Sequence, residues 1–255
     1  MSGVPRLVGV GVGPGDPELL TLAGLRELRT AGRVFVPVLA ADDEGRAEAV
    51  VRAHLPADAP IERLVFALSD PVDGPQGRRR RHWDEAADIV ARHLREHGDT
   101  AAFATLGDPA VYSTFGYLAD TVRGLLPGVR VDTVPGITAM QAAASAARIA
   151  LVEGAEPLTL LPVTREVTAV RAALDRGGTV VAYKGGRRLR DLRDVIARAG
   201  ALDRAVYAEH LGTADVRVLP LSEVDVDVAP GAPAGAPYLS TVVVLPPRGE
   251  RGEQL

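Results

Sequence analysis

Short, almost continuous apolar runs alternate along the chain with longer stretches in which apolar residues return every three or four positions. The first pattern is that of a strand buried on both faces, the second that of an amphipathic helix. In the first half this predicts strands over Arg6–Val12, Arg33–Val38, Ile61–Ala67, Thr100–Leu106 and Val129–Val134. Helices are expected between them, over Glu18–Thr30, Glu44–Leu55, His82–His97 and Ala110–Leu126. The first would bury Leu19, Leu20, Leu22, Ala23, Leu25 and Leu28; the third would bury Trp83, Ala86, Ala87, Val90 and Leu94. Strand and helix in regular turn imply a mostly parallel sheet with crossover helices.

The second half opens on an alanine-rich helix, Met140–Arg148, and continues with strands over Leu158–Val163, Thr179–Tyr183, Ala205–Glu209, Val216–Leu221 and Leu239–Leu245. Helices are expected at Glu166–Asp175 and Leu189–Ala199, but the last strands follow one another with none between, so this sheet should be mixed. The expected fold is therefore two α/β domains, 1–136 with a mostly parallel sheet and 137–255 with a mixed one. Ser69–Gly77 and Val228–Pro237 read as loops, and Arg248–Leu255 as a frayed tail.

Three strand ends run into sharp turns: Gly13-Pro14-Gly15-Asp16-Pro17, Gly107-Asp108-Pro109 and Pro135-Gly136-Ile137-Thr138-Ala139. In the first two an Asp stands just before a Pro, so Asp16 and Asp108 are expected to cap helices that begin at Pro17 and Pro109. Ligands of open α/β sheets sit beyond the carboxyl ends of the strands, which makes the stretch Thr105–Phe115 a candidate active-site corner. Taken alone, Gly-Asp-Pro reads equally as a well-capped helix start. Gly9, Gly11 and Gly13 miss the dinucleotide fingerprint, whose last glycine would fall on Pro14, and no GK[ST] ending marks a P-loop. The acidic residue usual before the glycines of Rossmann-type methyltransferases is replaced by Leu7.

Composition narrows the function further. With 255 residues, 47% hydrophobic and 24% charged, the chain can bury a large core and is ordinary for a globular protein. It has no cysteine, and its five histidines are read as scattered, so neither disulfides nor a metal site are expected. A net charge of −4 argues against nucleic acid as a partner and leaves anionic ligands to local arginines, Arg78–Arg81 and Arg187-Arg188-Leu189-Arg190. Each cluster reads either as carboxylate contacts or as a solvated charge run. No stretch is long and apolar enough to span a membrane, and Met1–Arg6 is too short for a signal peptide, so a cytoplasmic location is expected.

Taken in order, Gly11-Val12-Gly13-Pro14-Gly15-Asp16-Pro17-Glu18-Leu19-Leu20-Thr21, Gly107-Asp108-Pro109 and Val134-Pro135-Gly136-Ile137-Thr138-Ala139 closely resemble the tetrapyrrole methylase family, from about Leu7 to Leu245. The resemblance implies S-adenosylmethionine as cofactor, two α/β domains with the active site in the cleft between them, a tetrapyrrole substrate and a homodimer. Tyr112-Ser113-Thr114-Phe115-Gly116-Tyr117-Leu118, Leu202–Glu209 and Pro237-Tyr238-Leu239-Ser240 are similar to the branch that methylates carbon 20 of precorrin-2 in cobalamin synthesis. Leu239 stands where Phe is expected, and Thr105-Leu106 where a more polar pair is common.

By that resemblance Pro14, Gly107, Asp108, Val111, Thr138 and Ala139 line the cofactor site, largely through backbone, and Tyr183, Lys184, His210, Leu211 and Gly212 close over the adenosine. Gly15, Asp16 and Arg78, Arg79, Arg80 and Arg81 are candidates for substrate. Tyr112 is a candidate for handling the proton lost from the acceptor carbon, or is simply packing on the first turn of a helix. The alternatives left open are cobalt-factor II as substrate, another tetrapyrrole carbon, a diphthamide precursor or ribosomal RNA, and a cofactor-binding module without turnover.

Overall fold

Arg6–Gly11 (β1) becomes an interior strand of a sheet because nothing beyond its first residue meets water: Leu7, Val8 and Val10 are fully buried, as a strand covered on both faces requires. The computed structural model describes residues 4–66, 78–164, 166–226 and 239–249. The chain divides into two units, Met1–Thr138 and Ala139–Leu255.

In the first unit β1 lies between β4 (Thr100–Thr105) and β5 (Arg130–Val134), with β2 (Arg33–Val38) and β3 (Ile61–Val65) beyond β4, in the order β3-β2-β4-β1-β5. Every neighbouring pair is parallel, so all five carboxyl ends share one edge. One face is covered by α1 (Leu22–Thr30) and α2 (Arg46–His54), whose Leu28, Ala47, Val50 and Val51 join Val8, Val10, Val34 and Val36. The other is covered by α3 (Arg78–His97) and α4 (Phe115–Leu125), whose Val90, Leu94, Leu118 and Val122 join Leu7, Phe35 and Phe103. Each buried Val, Leu or Phe among these contributes about 1.5–3 kcal/mol of apolar burial. Glu48 of α2 is fully buried yet charged, held by Arg52 at 2.7 Å and Arg63 at 2.6 Å. Burial pushes its carboxyl up, but the two guanidinium groups outweigh this and hold it below the ordinary value of 4.5.

Two expected helix starts are wrong. Asp16 caps only a 3-10 turn, Pro17–Leu19, and α1 begins after Thr21, whose hydroxyl accepts from the Gly24 amide at 3.0 Å. The restart rotates the stripe, so that Leu22, expected inside, is 85% exposed. Likewise Pro109 starts no helix, and α4 begins at Phe115.

The second unit opens with α5 (Ala139–Ala147) and builds a sheet from β6 (Leu158–Pro162), β7 (Thr179–Tyr183), β8 (Ala205–Glu209), β9 (Arg217–Pro220) and β10 (Ser240–Val244). Their order is β6-β7-β10-β8-β9; β6 and β7 are parallel and the other pairs antiparallel, the mixed sheet that the helix-free strands imply. Helices α6 (Thr168–Arg176) and α7 (Leu189–Arg198) bring Val170, Ala173, Leu192 and Ile196 onto Val180, Ala182, Tyr207 and Val242. Of the tail expected to fray, residues 250–255 lie outside the described residues; at its start Arg248 binds Glu156 at 2.7 Å and the carbonyls of Ala150 and Leu151. The loops expected at 69–77 and 228–237, and Tyr238, lie outside the described residues.

Candidate functional site

Because β4, β1 and β5 are neighbours, their three glycine turns meet at one edge of the sheet. Gly13 and Gly107 exchange backbone hydrogen bonds, the Gly107 amide donating to the Gly13 carbonyl at 2.7 Å and the Gly13 amide to the Gly107 carbonyl at 3.3 Å. Contact there is backbone on backbone. A Cβ on Gly11 would lie 2.6 Å from the Gly107 oxygen and the Gly136 nitrogen, and one on Gly136 only 2.1 Å from the Gly107 oxygen. Gly107 is the opposite case: its φ is 72°, and a Cβ there would meet nothing within 4 Å. Glycine is thus required twice for close approach, and at Gly107 for a left-handed backbone that leaves a side-chain direction unfilled.

Asp108 works across this corner rather than capping a helix. One carboxylate oxygen accepts from the Ala110 amide at 2.7 Å and the other from the Gly136 amide at 2.9 Å, strapping the turn after β4 to the turn after β5. Sequence reading misses the residues that start α4. Ser113 Oγ accepts from the Phe115 amide at 3.1 Å and pairs with the buried Thr105 hydroxyl at 2.9 Å. Tyr112 therefore lies in the loop before α4, not on its first turn, with φ 50° and 42% of its surface exposed. Burial of the remainder raises its phenol pKa. Pro14 is buried, Gly15 has φ 136°, and Asp16 accepts from the Glu18 amide at 2.9 Å. Val111 is half-buried, its amide on the Asp108 carbonyl.

In the second unit the Tyr183 hydroxyl, at the end of β7, accepts from the Met140 amide at 2.7 Å in the first turn of α5, which Thr138 and Ala139 open. Strands β7 and β8 flank β10, where Thr241 stands opposite both Tyr183 and Ala208, so Lys184 and His210 leave the sheet from the same edge. Lys184 has φ 62° and His210 φ 52°, followed by buried Leu211 and by Gly212 at φ 76°. Among the described residues four non-glycines have positive φ, namely Tyr112, Arg148, Lys184 and His210. Three of these are residues that the sequence singles out. Left-handed backbone costs such residues about 1–2 kcal/mol each, and it persists where the surroundings over-determine it, commonly at functional sites.

Glu209, one residue before His210, is buried and accepts from the Tyr207 hydroxyl at 2.6 Å and from Arg217 at 2.5 Å. Burial first, and then this carboxylate, raise the Tyr207 phenol pKa. A glutamate inside the apolar run Ala205–Glu209 is the signal that could have found the pair. His93 and His97 are not scattered but one helical turn apart and stacked, with centroids 4.5 Å apart. Both are bonded within the fold: a His93 ring nitrogen lies 3.0 Å from Asp99, and one of His97 lies 3.0 Å from the His93 carbonyl. No group of three metal-ligating side chains occurs among the described residues. The arginine run opens α3, with Arg80 and Arg81 exposed; the side chains of Arg78 and Arg79 lie outside the described residues. Arg188 pairs with Asp191 at 3.1 Å.

Comparison with known proteins agrees with this architecture. A precorrin-2 C(20)-methyltransferase of Sinorhizobium is 34% identical over 95% of this chain and 96% of its own. A protein of Methanocaldococcus jannaschii named probable cobalt-precorrin-2 C(20)-methyltransferase is 34% identical over 71% of this chain and 73% of its own. Among solved structures, the uroporphyrin-III C-methyltransferase of Thermus thermophilus, complexed with S-adenosyl homocysteine, matches with a TM-score of 0.61 at 24% identity, over 94% of this chain and 96% of that one. The family description "Tetrapyrrole (Corrin/Porphyrin) Methylases" matches residues 6–227, which takes in all three glycine turns and both left-handed turns of the second sheet, and the chain belongs to that family.

Proposed function

We propose that the chain transfers the methyl group of S-adenosylmethionine to carbon 20 of precorrin-2, giving precorrin-3A and S-adenosylhomocysteine, as a step of cobalamin biosynthesis. The observation that carries this reading is a side-chain-free corner at Gly11, Gly107 and Gly136, in a chain that aligns with a precorrin-2 C(20)-methyltransferase over nearly the full length of both. The corner suits the cofactor, because the unfilled direction at Gly107 leaves room for a ligand directly against backbone. Bound there, S-adenosylmethionine supplies a methyl group on a positively charged sulfur.

The task left to the protein is alignment, since displacement at a methyl carbon requires acceptor, methyl and sulfur in line. We assign Pro14, Gly107, Asp108, Val111, Thr138 and Ala139 to hold the cofactor, and Tyr183, Lys184, His210, Leu211 and Gly212 to enclose its adenosine. Asp108 serves by position: its oxygens are spent on the amides of Ala110 and Gly136, so it fixes the turn that the ligand meets. Tyr112, whose phenol holds its proton more tightly than usual, is suited to orient the acceptor by hydrogen bonding and poorly suited to act as a base. Gly15, Asp16 and the arginines at 78–81 are assigned to the substrate, whose carboxylates guanidinium groups bind in pairs. We further propose a cytoplasmic homodimer; among the described residues no helix is long and apolar enough to cross a membrane.

The similarity to the Methanocaldococcus protein, whose name specifies cobalt-precorrin-2, supports a second reading, with a cobalt-containing acceptor such as cobalt-factor II. Mass spectrometry after incubation with isotopically labelled cofactor and either metal-free precorrin-2 or cobalt-factor II separates the two. A gain of one labelled methyl on precorrin-2 alone is expected. A gain on cobalt-factor II alone selects the second reading, and a gain on neither overturns both.

A further inference from the structure

The four phenylalanines of the first unit, Phe35, Phe66, Phe103 and Phe115, are buried, and the rings of Phe66, Phe103 and Phe115 meet tilted or edge-on, at 74° and 30°. Trp83 and Tyr117 behave differently. Their ring planes lie within 2° of parallel with centroids 4.5 Å apart, and Tyr117 remains 57% exposed. In a parallel sheet each crossover helix starts at the carboxyl edge of the strands, so the beginnings of α3 and α4 lie at the same edge as the Gly107 corner. Trp83 lies in the second turn of α3 and Tyr117 in the first turn of α4. Arg80 stands three residues before Trp83, hence on the same side of α3, and both it and Arg81 are exposed.

Helix packing alone accounts for Trp83, which is half-buried, but not for a flat ring laid on it with most of its surface in water. An exposed aromatic plane beside guanidinium groups complements a ligand that is flat and apolar in its middle and anionic at its rim. Resting on the methyltransferase reading above, we infer that Trp83 and Tyr117 form a shelf on which the face of the tetrapyrrole macrocycle stacks, with Arg80 and Arg81 meeting its carboxylates. The pair is then a substrate-recognition element of the first unit, distinct in residues and chemistry from the glycine corner.

The test uses the full chain with Tyr117→Ala, Tyr117→Phe and Trp83→Leu. Binding of uroporphyrin III, a stable octacarboxylate macrocycle, is measured by calorimetry beside that of S-adenosylhomocysteine, with the substrate KM and the solution mass. Loss of one stacking face should weaken uroporphyrin III binding and raise KM about tenfold. Affinity for S-adenosylhomocysteine should stay within twofold and Tyr117→Phe should restore the wild-type values, neither of which a general packing defect would produce. Uroporphyrin III affinity and KM within twofold of wild type in Tyr117→Ala would overturn the inference. So would a fall in assembly mass in that variant, which would make the shelf a contact between copies. If neither precorrin-2 nor cobalt-factor II gains methyl, the uroporphyrin III comparison still decides the shelf independently of the reaction.

Discussion

Placing an alanine at each of two glycines in the same corner separates architecture from ligand. At Gly136 the new Cβ would sit 2.1 Å from the Gly107 carbonyl oxygen and 2.7 Å from the Gly11 carbonyl carbon, all backbone, so no rotamer change relieves it and β5 must move off β1. Overpacking of this kind should cost about 3 kcal/mol or more. At Gly107 the new Cβ meets nothing, and only the left-handed backbone resists it, at about 1–2 kcal/mol. For a chain of this size that lowers the melting midpoint by roughly 2–8 °C. Gly107→Ala should therefore fold, and so should Gly107→Val with somewhat greater loss, while the added carbons occupy the space assigned to the cofactor. Calorimetry with S-adenosylhomocysteine should show at least about a tenfold loss of affinity for Gly107→Ala, the equivalent of roughly 1.4 kcal/mol. A well-folded Gly107→Val that binds S-adenosylhomocysteine as tightly as wild type would refute the assignment of this corner. A Gly136→Ala protein with the wild-type midpoint would refute the packing argument.

Three further outcomes are expected. Asp108→Asn leaves one acceptor oxygen for two amides, so either Ala110 or Gly136 loses its partner; denaturant unfolding should register about 1–3 kcal/mol, and an unchanged midpoint would show the strap to be dispensable. Glu48 ionises more readily folded than unfolded, so its pairing stabilises above its ordinary value of 4.5 and is lost as pH falls through the lower folded value. Glu48→Gln should lower stability at pH 7 by about 2 kcal/mol, a buried-pair figure discounted for the solvent around both arginines, and should flatten the acid limb. An acid limb as steep as wild type in urea titrations across pH would count against this. Replacing Arg78–Arg81 together with glutamine should raise the substrate KM severalfold and weaken its salt dependence without altering cofactor affinity. Unchanged substrate kinetics would return the run to the solvated surface.

The strands were legible because periodicity reports burial, and both sheets bury their interior strands: β1, β4, β7 and β10 are apolar almost without interruption. The helix starts were not. Asp-Pro predicts a cap at 16 and at 108 with equal force, yet one Asp serves a 3-10 turn and the other reaches Gly136, 28 residues on. Local rules see only the nearest amide, and the Asp108 contact is set by which strands are neighbours in the sheet. The same limit hides the Ser113–Thr105 pair and the approach of Arg217 to Glu209, each made between residues brought together by folding, whereas Tyr207 and Glu209 share one face of β8 by strand periodicity alone. The glycines were conspicuous in sequence, but not their division of labour, because close approach at Gly11 and Gly136 and an open direction at Gly107 depend on the other two chains of backbone.

Strand order also governs when the corner can exist. The first strand made is the innermost but one, and it pairs with the fourth and fifth, so Arg6 waits for Asp132, 126 residues later, to complete its ion pair. Strands β2 and β3 are joined by a single helix and can associate early, whereas closing the long loops around β1 is entropically costly and slow. On a ribosome, the turn at Gly11 emerges long before the turns at Gly107 and Gly136 that complete its surroundings. Until then β1 is an apolar segment without a partner, the kind of exposed surface on which chaperones act. A truncated or half-made first unit has no such corner, so ligand binding there reports that the whole unit has folded.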